Sequence, residues 1–236
     1  MTDFAFLTDA VAEDRVSVDD YARDEHAGDW GTHPEDEVRP DAVVWPTSTE
    51  EVAAVLAGAH ERGIPVTPYA AGTGLEGNAV PAHEGISLDT TRMDEILEIR
   101  PDDLQIDVQP GVLGSTVDEA AAEHGLTFPP LPSSGDISTV GGMIATDASG
   151  MQAVKYGVVG DWVLELEAVL ADGTVISTGS KAVKSSAGYN LTDLIVGSEG
   201  TLAVVTEATL QLAGRPQQIR GGRVVFSSFD DAAGAI

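Results

Sequence analysis

The residues best suited to chemistry stand together in a loop at positions 68–78, PYAAGTGLEGN, which holds Gly72, Gly74 and Gly77. Glycine can take positive φ and let the backbone approach a ligand closely, because it has no Cβ. Successive N–H groups in such a bend can form a concave cluster of donors that suits phosphate oxygens. An ordinary glycine-rich turn explains the same residues equally well, so the loop alone leaves both interpretations open.

The loop lacks the signatures of two common nucleotide-binding motifs. It contains no Gly-Lys-Ser/Thr, so it is not a Walker A loop, and no predicted helix follows Gly72-x-Gly74-x-x-Gly77, as a dinucleotide fingerprint requires. No lysine lies within the loop. An anion bound there would therefore be held mainly by backbone dipoles.

The five histidines do not predict a metal site or a catalytic base. No two of them have the His-x-x-x-His or a comparable spacing of metal ligands. His60 and His124 stand late in predicted helices, where solvated side chains are common. His26 and His33 lie in an acidic segment, and we expect them to be solvated too. We assign no catalytic base and no metal ligand.

The composition predicts a folded and highly acidic protein. The 236 residues include 39 acidic and 12 basic side chains, for a net charge of −27, and only three lysines. Such a field repels nucleic acid and anionic membranes, so neither is an expected partner. The lysine-poor acidity resembles that of proteins from extreme halophiles. There is no cysteine, no basic start of a signal peptide and no apolar run long enough for a membrane span, so we expect a cytoplasmic protein.

The elements around the loop predict a β-α-β unit. Residues 39–46 form a β-branched run that a proline ends, which is typical of a strand. Residues 47–51 offer a hydroxyl cap and an acidic first turn, and they begin a helix that ends at Gly63. Its apolar face comprises Val52, Val55, Leu56 and Ala59. Strands at 64–69 and 86–89 flank the loop.

The remaining segments predict a second region and two appendages. The second region contains a strand near 104–111, a helix at 113–124, an irregular stretch at 128–136 and small residues at 139–150. A hairpin at 162–178 turns at Asp172-Gly173, and a strand follows at 202–212. Residues 1–38 form an acidic segment able to make one or two helices. Residues 215–236, with a strand at 223–226 and a capped helix from 227, read as the start of a further domain that this sequence lacks.

Four ordered blocks resemble the FAD-binding domain of the vanillyl-alcohol-oxidase type, also called PCMH-type, and its branch of D-lactate dehydrogenases and glycolate oxidase flavoprotein subunits. The blocks are RPDAVVWP (39–46), GTGLEG (72–77), PSSGDISTVGGMIATDASG (132–150), and AGYNLT with GSEGTL (187–192 and 197–202). The resemblance covers about residues 38–214 and favours FAD as the ligand of the loop. It implies an α+β fold of two subdomains, a small β-α-β unit at about 39–102 and a larger mixed or antiparallel sheet flanked by helices at 103–214.

The resemblance also implies three groups of cofactor-binding residues. Main-chain donors of the loop would wrap the pyrophosphate, at Ala70, Ala71, Gly72, Thr73, Gly74, Leu75, Gly77 and Asn78. The flavin and its ribityl chain would be lined by Pro132, Ser133, Ser134, Thr139, Gly141, Gly142, Ala145, Thr146, Ser149 and Gly150. A third group would lie near the FAD, its valines closer to the adenine half: Glu199, Gly200, Val204 and Val205. Lys184, Tyr189 and Asn190 could approach the flavin ring, but surface or core packing explains them equally well.

Two departures from the family pattern weaken any transfer of substrate preference. Related sequences often have an acidic residue where Leu131 stands, and Asp where Asn190 stands. Family members that attach FAD covalently use His or Cys, whereas this chain has no Cys and its nearest histidine, His83, follows the loop. We therefore expect FAD that dissociates.

The function implied is the FAD-binding part of an oxidoreductase that oxidises a D-2-hydroxy acid, D-lactate or glycolate. A hydride would pass to flavin N5 while a base removes the hydroxyl proton. In this branch the resemblance places the base or metal histidines in a C-terminal His-rich motif within the substrate domain. Two alternatives remain open: a flavin-carrying subunit inactive without a partner chain, and an FAD oxidase or reductase of the same fold with a sugar or cell-wall precursor as substrate.

Overall fold

The structure is a computed structural model that describes residues 4–235. Its helices are α1 (Ala5–Ala10), α2 (Asp20–Glu25), α3 (Thr49–Arg62), α4 (Gly114–Ala122), α5 (Val140–Ala145), α6 (Ala153–Tyr156), α7 (Leu191–Ile195) and α8 (Phe229–Ala233). Its strands are β1 (Val16–Ser17), β2 (Ala42–Val44), β3 (Val66–Tyr69), β4 (Ile86–Asp89), β5 (Ile96–Arg100), β6 (Gln105–Val108), β7 (Leu126–Thr127), β8 (Val163–Val169), β9 (Val175–Gly179), β10 (Val204–Gln211) and β11 (Ala213–Gly214).

The small subdomain is a four-stranded sheet in the order β1-β2-β4-β3. Strands β2, β4 and β3 are parallel, and β1 joins the edge antiparallel to β2. Helix α3 joins β2 to β3, as in a β-α-β unit, and the loop joins β3 to β4. The β-α-β prediction is confirmed.

Helix α3 follows its local sequence signals closely. Ser48 Oγ accepts the Glu51 N–H at its start, and Gly63 ends it with φ of 63°. Its predicted apolar face is buried against the sheet: Val52, Val55, Leu56 and Ala59.

The large subdomain is an antiparallel five-stranded sheet in the order β5-β6-β10-β8-β9. The predicted hairpin is confirmed, with β8 and β9 joined through the turn at Asp172-Gly173. Helices α4 and α5 supply Val117 and Met143 to the core cluster that the inner face of the sheet forms with Leu166 and Leu210. The α+β fold with two subdomains is therefore as expected.

The two subdomains share apolar contacts. Val169 at the end of β8 and Val204 at the start of β10 pack into the core cluster of the small subdomain, with Leu56 and Leu88. Residues of β8 and β10 thus pack against the small subdomain, and the two subdomains share an apolar contact surface.

The two ends of the chain depart in part from expectation. The predicted helices of the acidic segment are α1 and α2, but β1 between them also extends the small sheet, and Leu7 is fully buried. Near the other end, α8 begins after the Ser228 cap as predicted. The predicted strand at 223–226 is wrong, because these residues pair with no strand in the described chain and are exposed.

Within residues 4–235, no helix is long and apolar enough to cross a membrane.

Candidate cofactor site

A cleft opens between the two subdomains, and Val204, one of the residues of their apolar contact, lines it. The space that protein atoms leave free in the cleft is about 1030 Å³, and this volume includes the part that is open to solvent at the mouth. One wall is the loop that follows β3, and the opposite wall is α5 with the irregular stretch before it. The segment between α7 and the start of β10 closes one end. Three regions distant in sequence thus face a single space.

Most of the residues predicted to bind a cofactor line this cleft. They come from all three predicted groups: Ala70, Ala71, Gly72, Thr73, Gly74 and Asn78; Pro132, Ser134, Thr139, Gly141, Gly142, Ala145 and Thr146; Glu199, Gly200, Val204 and Val205.

The other predicted residues lie outside the lining. The Leu75, Ser133 and Ser149 side chains are exposed to solvent away from it. Gly77 donates its N–H to Asp29 Oδ2 at 2.9 Å. At Gly150 a Cβ would stand 2.1 Å from the Leu131 carbonyl oxygen, so this glycine is required by close packing of backbone.

The loop needs its first glycine for two reasons. Gly72 has φ of 61°, in the left-handed region that favours glycine. A Cβ there would also stand 2.2 Å from the Tyr69 hydroxyl. The sharp bend therefore depends on a residue without a side chain.

The bend leaves backbone donors for a ligand. In the described part of the chain, the N–H groups of Gly72, Thr73 and Gly74 donate to no protein acceptor. Buried backbone donors are almost always paired, so consecutive free N–H groups beside a cleft are suited to an external acceptor.

The opposite wall brings a second glycine surface close to the loop. A Cβ built on Gly142 would lie 3.4 Å from the Ala70 Cβ and 3.5 Å from Thr139 Oγ1. A chain of hydroxyls also joins the walls: Thr73 Oγ1 lies 3.0 Å from Ser138 Oγ, which donates to Ser134 Oγ at 2.8 Å. This wall therefore offers small apolar surface beside hydroxyl groups.

Few ionisable side chains line the cleft. Among the described residues that line it, only Tyr69 and Glu199 have ionisable side chains, and none is Lys, Arg or His. Burial, followed by the negative charges of Asp89, Glu25 and Asp29, raises the pKa of Tyr69 to about 12. Tyr69 is thus a neutral hydroxyl at ordinary pH, and an anion in the cleft meets dipoles and no fixed positive charge.

One histidine lies where sequence reasoning did not place it. His26 is 6% exposed, with Nε2 3.0 Å from Asp89 Oδ2 and Nδ1 2.8 Å from the Ala22 carbonyl oxygen. The expectation that it is solvated is wrong, because its partner Asp89 ends a strand 63 positions later. His33, His60 and His124 are exposed as expected.

The weaker candidates near the flavin lie outside the lining of the cleft. Lys184, Tyr189 and Asn190 are all exposed, and Asn190 Oδ1 accepts the Asp193 N–H as the cap of α7. Sequence reasoning also missed several residues that do line the cleft, among them Tyr69, Thr90, Pro110 and Ser138. Two of them carried a signal, since Tyr69 stands in the loop at 68–78 and Ser138 in the block at 132–150, both already singled out.

Comparison with known proteins agrees with this geometry. Residues 40–179 match the family described as FAD binding domain. The D-lactate dehydrogenase of Archaeoglobus fulgidus is 47% identical over 194 residues, which are 82% of this chain and 43% of that protein. The glycolate oxidase subunit GlcD of Bacillus subtilis is 42% identical over 200 residues, 85% of this chain and 43% of that protein.

The fold is also similar to that of solved structures. An alkyldihydroxyacetonephosphate synthase superposes with a TM-score of 0.76 at 28% identity, over 88% of this chain and 39% of that one. The chain thus spans less than half of the length of each of these relatives.

Proposed function

Since this chain belongs to the FAD binding domain family, we propose that it holds FAD in the cleft without a covalent bond. We propose further that it is the flavin-carrying part of an oxidoreductase that oxidises D-2-hydroxy acids, D-lactate or glycolate. The names of its relatives, a D-lactate dehydrogenase and a glycolate oxidase subunit, support this choice of substrate.

The observation that carries the proposal is the row of free N–H groups at Gly72, Thr73 and Gly74, three residues that line a cleft between two glycine-bearing walls. These donors fit the pyrophosphate, whose oxygens can accept hydrogen bonds from backbone dipoles alone. The wall that α5 presents suits a flat ring system, because three of the residues that line the cleft there are small: Gly141, Gly142 and Ala145. Val204 and Val205 offer apolar surface for the adenine half.

The residues of this chain would bind and orient the cofactor. When bound, FAD supplies the hydride acceptor at flavin N5. The loop would hold the phosphates, and Ser134 and Thr139 would offer hydroxyls to the ribityl chain. The apolar residues of the lining, among them Val204 and Val205, would exclude water. Tyr69, with its raised pKa, is unsuited to removing a proton from the substrate. We propose that the catalytic base and any metal belong to a further domain or a partner subunit.

A dependence on additional protein is supported by the length of the relatives, of which this chain spans 43%. We propose that a further domain, which residues 215–236 would begin, or a partner subunit completes the enzyme. D-lactate or glycolate would then fail to bleach the flavin of this chain alone under anaerobic conditions. Bleaching by D-lactate or glycolate should appear once the remaining domain or subunit is added. Bleaching by sugars and not by hydroxy acids would favour the alternative substrate class.

The first test is the visible absorbance of protein purified in molar salt, before and after acid precipitation. We expect flavin bands that pass into the supernatant, since no His or Cys lines the cleft in the described residues. Bands that stay with the pellet would contradict the dissociable FAD. A protein that stays colourless and takes up no added FAD would contradict the function itself.

We also propose that the protein works in a salt-rich cytoplasm, which its net charge of −27 supports. At 1 M salt the Debye length is about 3 Å, so repulsion between exposed carboxylates is largely screened. The midpoint of thermal unfolding should then rise between 0.1 M and 2 M KCl. A midpoint that falls over this range would contradict the proposal.

A further inference from the structure

A segment near the N-terminus lies directly behind the glycine-bearing loop. We call residues 25–32 the backing segment. In the described chain none of its residues lines the cleft, although it contacts the loop that does. The Trp30 N–H donates to the Gly72 carbonyl at 3.0 Å, and the Gly31 N–H donates to the Gly74 carbonyl at 3.1 Å. The Tyr69 hydroxyl donates to the Glu25 carbonyl at 3.2 Å.

These hydrogen bonds determine which way the loop presents its donors. In a trans peptide the C=O of one residue and the N–H of the next point in opposite directions. Because the Gly72 and Gly74 carbonyls point back to the backing segment, the N–H groups of Thr73 and Leu75 point away from it. Thr73 lines the cleft, so its free N–H is turned toward the space where a phosphate would lie.

Asp29 is the side chain that joins the segment to the end of the loop. Its Oδ2 accepts the Gly77 N–H at 2.9 Å, and its Oδ1 accepts the Gly31 N–H at 3.1 Å and the Thr32 hydroxyl at 2.7 Å. A single carboxylate thus orders both the backing segment and the loop. Hydrogen bonds to a charged acceptor are about twice as strong as neutral ones.

The contact is close enough to require a glycine on the segment. A Cβ at Gly31 would stand 2.1 Å from the Leu75 carbonyl oxygen and 2.5 Å from its Cα. Backbone therefore packs directly on backbone here, and any side chain at this position would push the loop aside.

The backing segment is itself held firmly in place. The buried His26 is bound to Asp89 at the end of β4, and the Val38 N–H donates to the Ala27 carbonyl at 3.0 Å. The segment is thus fixed to the small sheet, from which the loop also departs.

We propose that the backing segment holds the glycine-bearing loop in its phosphate-binding conformation, and that Asp29 is the positioning residue through which it acts. This rests on the proposed function, since the phosphates are those of FAD. Without Asp29, the loop spends less time in the competent conformation, and the apparent Kd rises by the inverse of that fraction.

The test compares Asp29→Ala, Asp29→Asn and Gly31→Ala with Asp36→Ala, an exposed acidic residue of the same region. We measure the FAD Kd of each apoprotein from flavin fluorescence, at a temperature well below every unfolding midpoint. Asp29→Ala and Gly31→Ala should raise the Kd by about tenfold, equal to about 1.4 kcal/mol. Asp29→Asn keeps one acceptor oxygen and should raise it about threefold, and Asp36→Ala should leave it unchanged.

A second measurement separates positioning from a general loss of stability. Hydrogen exchange of the amides at 72–77 should be faster in the Asp29→Ala apoprotein, while exchange in α3 and β4 stays at the wild-type rate. The inference would be overturned if Asp29→Ala bound FAD with the wild-type Kd. It would also be overturned if Asp29→Ala lowered the unfolding midpoint while hydrogen exchange of the amides at 72–77 stayed unchanged. Failure of the wild type to take up FAD would contradict the proposed function, and loop exchange in the apoprotein would still decide the role of Asp29.

Discussion

The imidazole of His26 and the carboxylate of Asp89 form a buried pair, with Nε2 and Oδ2 3.0 Å apart. Trp45 Nε1 donates to the same oxygen at 2.7 Å, and the Thr91 N–H donates to Oδ1 at 2.7 Å. The His26 ring also lies 4.4 Å from the Tyr69 ring, centroid to centroid. One cluster thus joins the backing segment, the central strand β4 and the residue from which the loop departs.

Replacement of His26 should destabilise the small subdomain. His26→Ala removes a hydrogen-bond partner from a buried carboxylate and leaves a cavity beside Tyr69. We expect a loss of about 2 to 3 kcal/mol in the free energy of unfolding, measured by urea denaturation in constant high salt. His60→Ala, on an exposed helix position, is the matched control. A loss below about 0.5 kcal/mol for His26→Ala would show that the pair contributes little.

Gly142→Ala should separate ligand binding from folding. The added Cβ would make only ordinary contacts with Ala70 and Thr139, and alanine favours a helix over glycine by up to about 1 kcal/mol. The apoprotein should therefore keep or gain stability. The same methyl group occupies the cleft, so the FAD Kd should rise by about tenfold. Titration calorimetry tests this, with Gly221→Ala as the control. An unchanged FAD Kd in Gly142→Ala would contradict a binding position beside α5.

Asp107 should make stability depend on acid pH. Burial raises the pKa of its carboxyl, but hydrogen bonds from Arg100, Lys181 and Thr209 outweigh burial and hold the pKa at about 2. A carboxyl with a lowered pKa stabilises the fold above the unfolded value of 3.8, and this contribution is lost as pH falls through about 2.

The measurement is the unfolding free energy of wild type and Asp107→Asn from pH 6 down to pH 2. We expect a difference on the order of 1 kcal/mol at pH 6, after allowance for solvent screening, which shrinks between about pH 4 and pH 2. Asp94→Asn, at an exposed position, should show no such change. A difference that stays constant over the whole range would contradict the lowered pKa.

Glu207 should affect the pH dependence of stability in the direction opposite to Asp107. Burial, followed by the negative charges of Glu167 and Asp107, raises the pKa of its carboxyl. The folded protein therefore favours the protonated acid, and the ionised form costs stability as pH rises through the ordinary range of a glutamate. Glu207→Gln should increase the unfolding free energy at pH 7 by a few tenths of a kcal/mol. The gain should vanish below about pH 4, and a variant less stable than wild type at pH 7 would contradict it.

Local signals in the sequence predicted the elements that depend on local physics. Helix α3 has its cap, its apolar face and its terminal Gly63 within sixteen positions, so nothing distant is needed to specify it. The hairpin at Asp172-Gly173 is equally local. The loop was found through its glycines, and Gly72 and Gly77 do take the positive φ that favours this residue. The order of the blocks linked the loop to the wall at 132–150.

The parts that were missed depend on distant partners. His26 is buried only because Asp89 and Tyr69 come to it, and no spacing within its own segment indicates this. Strand β1 has two residues and exists through its pairing with β2. Conversely, Val224 and Val225 have strand propensity but are 73% and 81% exposed, since a strand needs a neighbour.

Among the residues that the structure describes, no Lys, Arg or His lines the cleft, and this has a consequence for how salt acts on cofactor binding. Where a lysine holds a phosphate, added salt screens an attraction and weakens the complex. In the proposed site a protein of charge −27 would receive an anion through uncharged dipoles, so long-range electrostatics would oppose the approach. Added KCl screens that repulsion, and FAD should associate faster and bind more tightly as ionic strength rises. The sign of the salt effect thus reports whether side-chain charge or main-chain geometry recognises the phosphate.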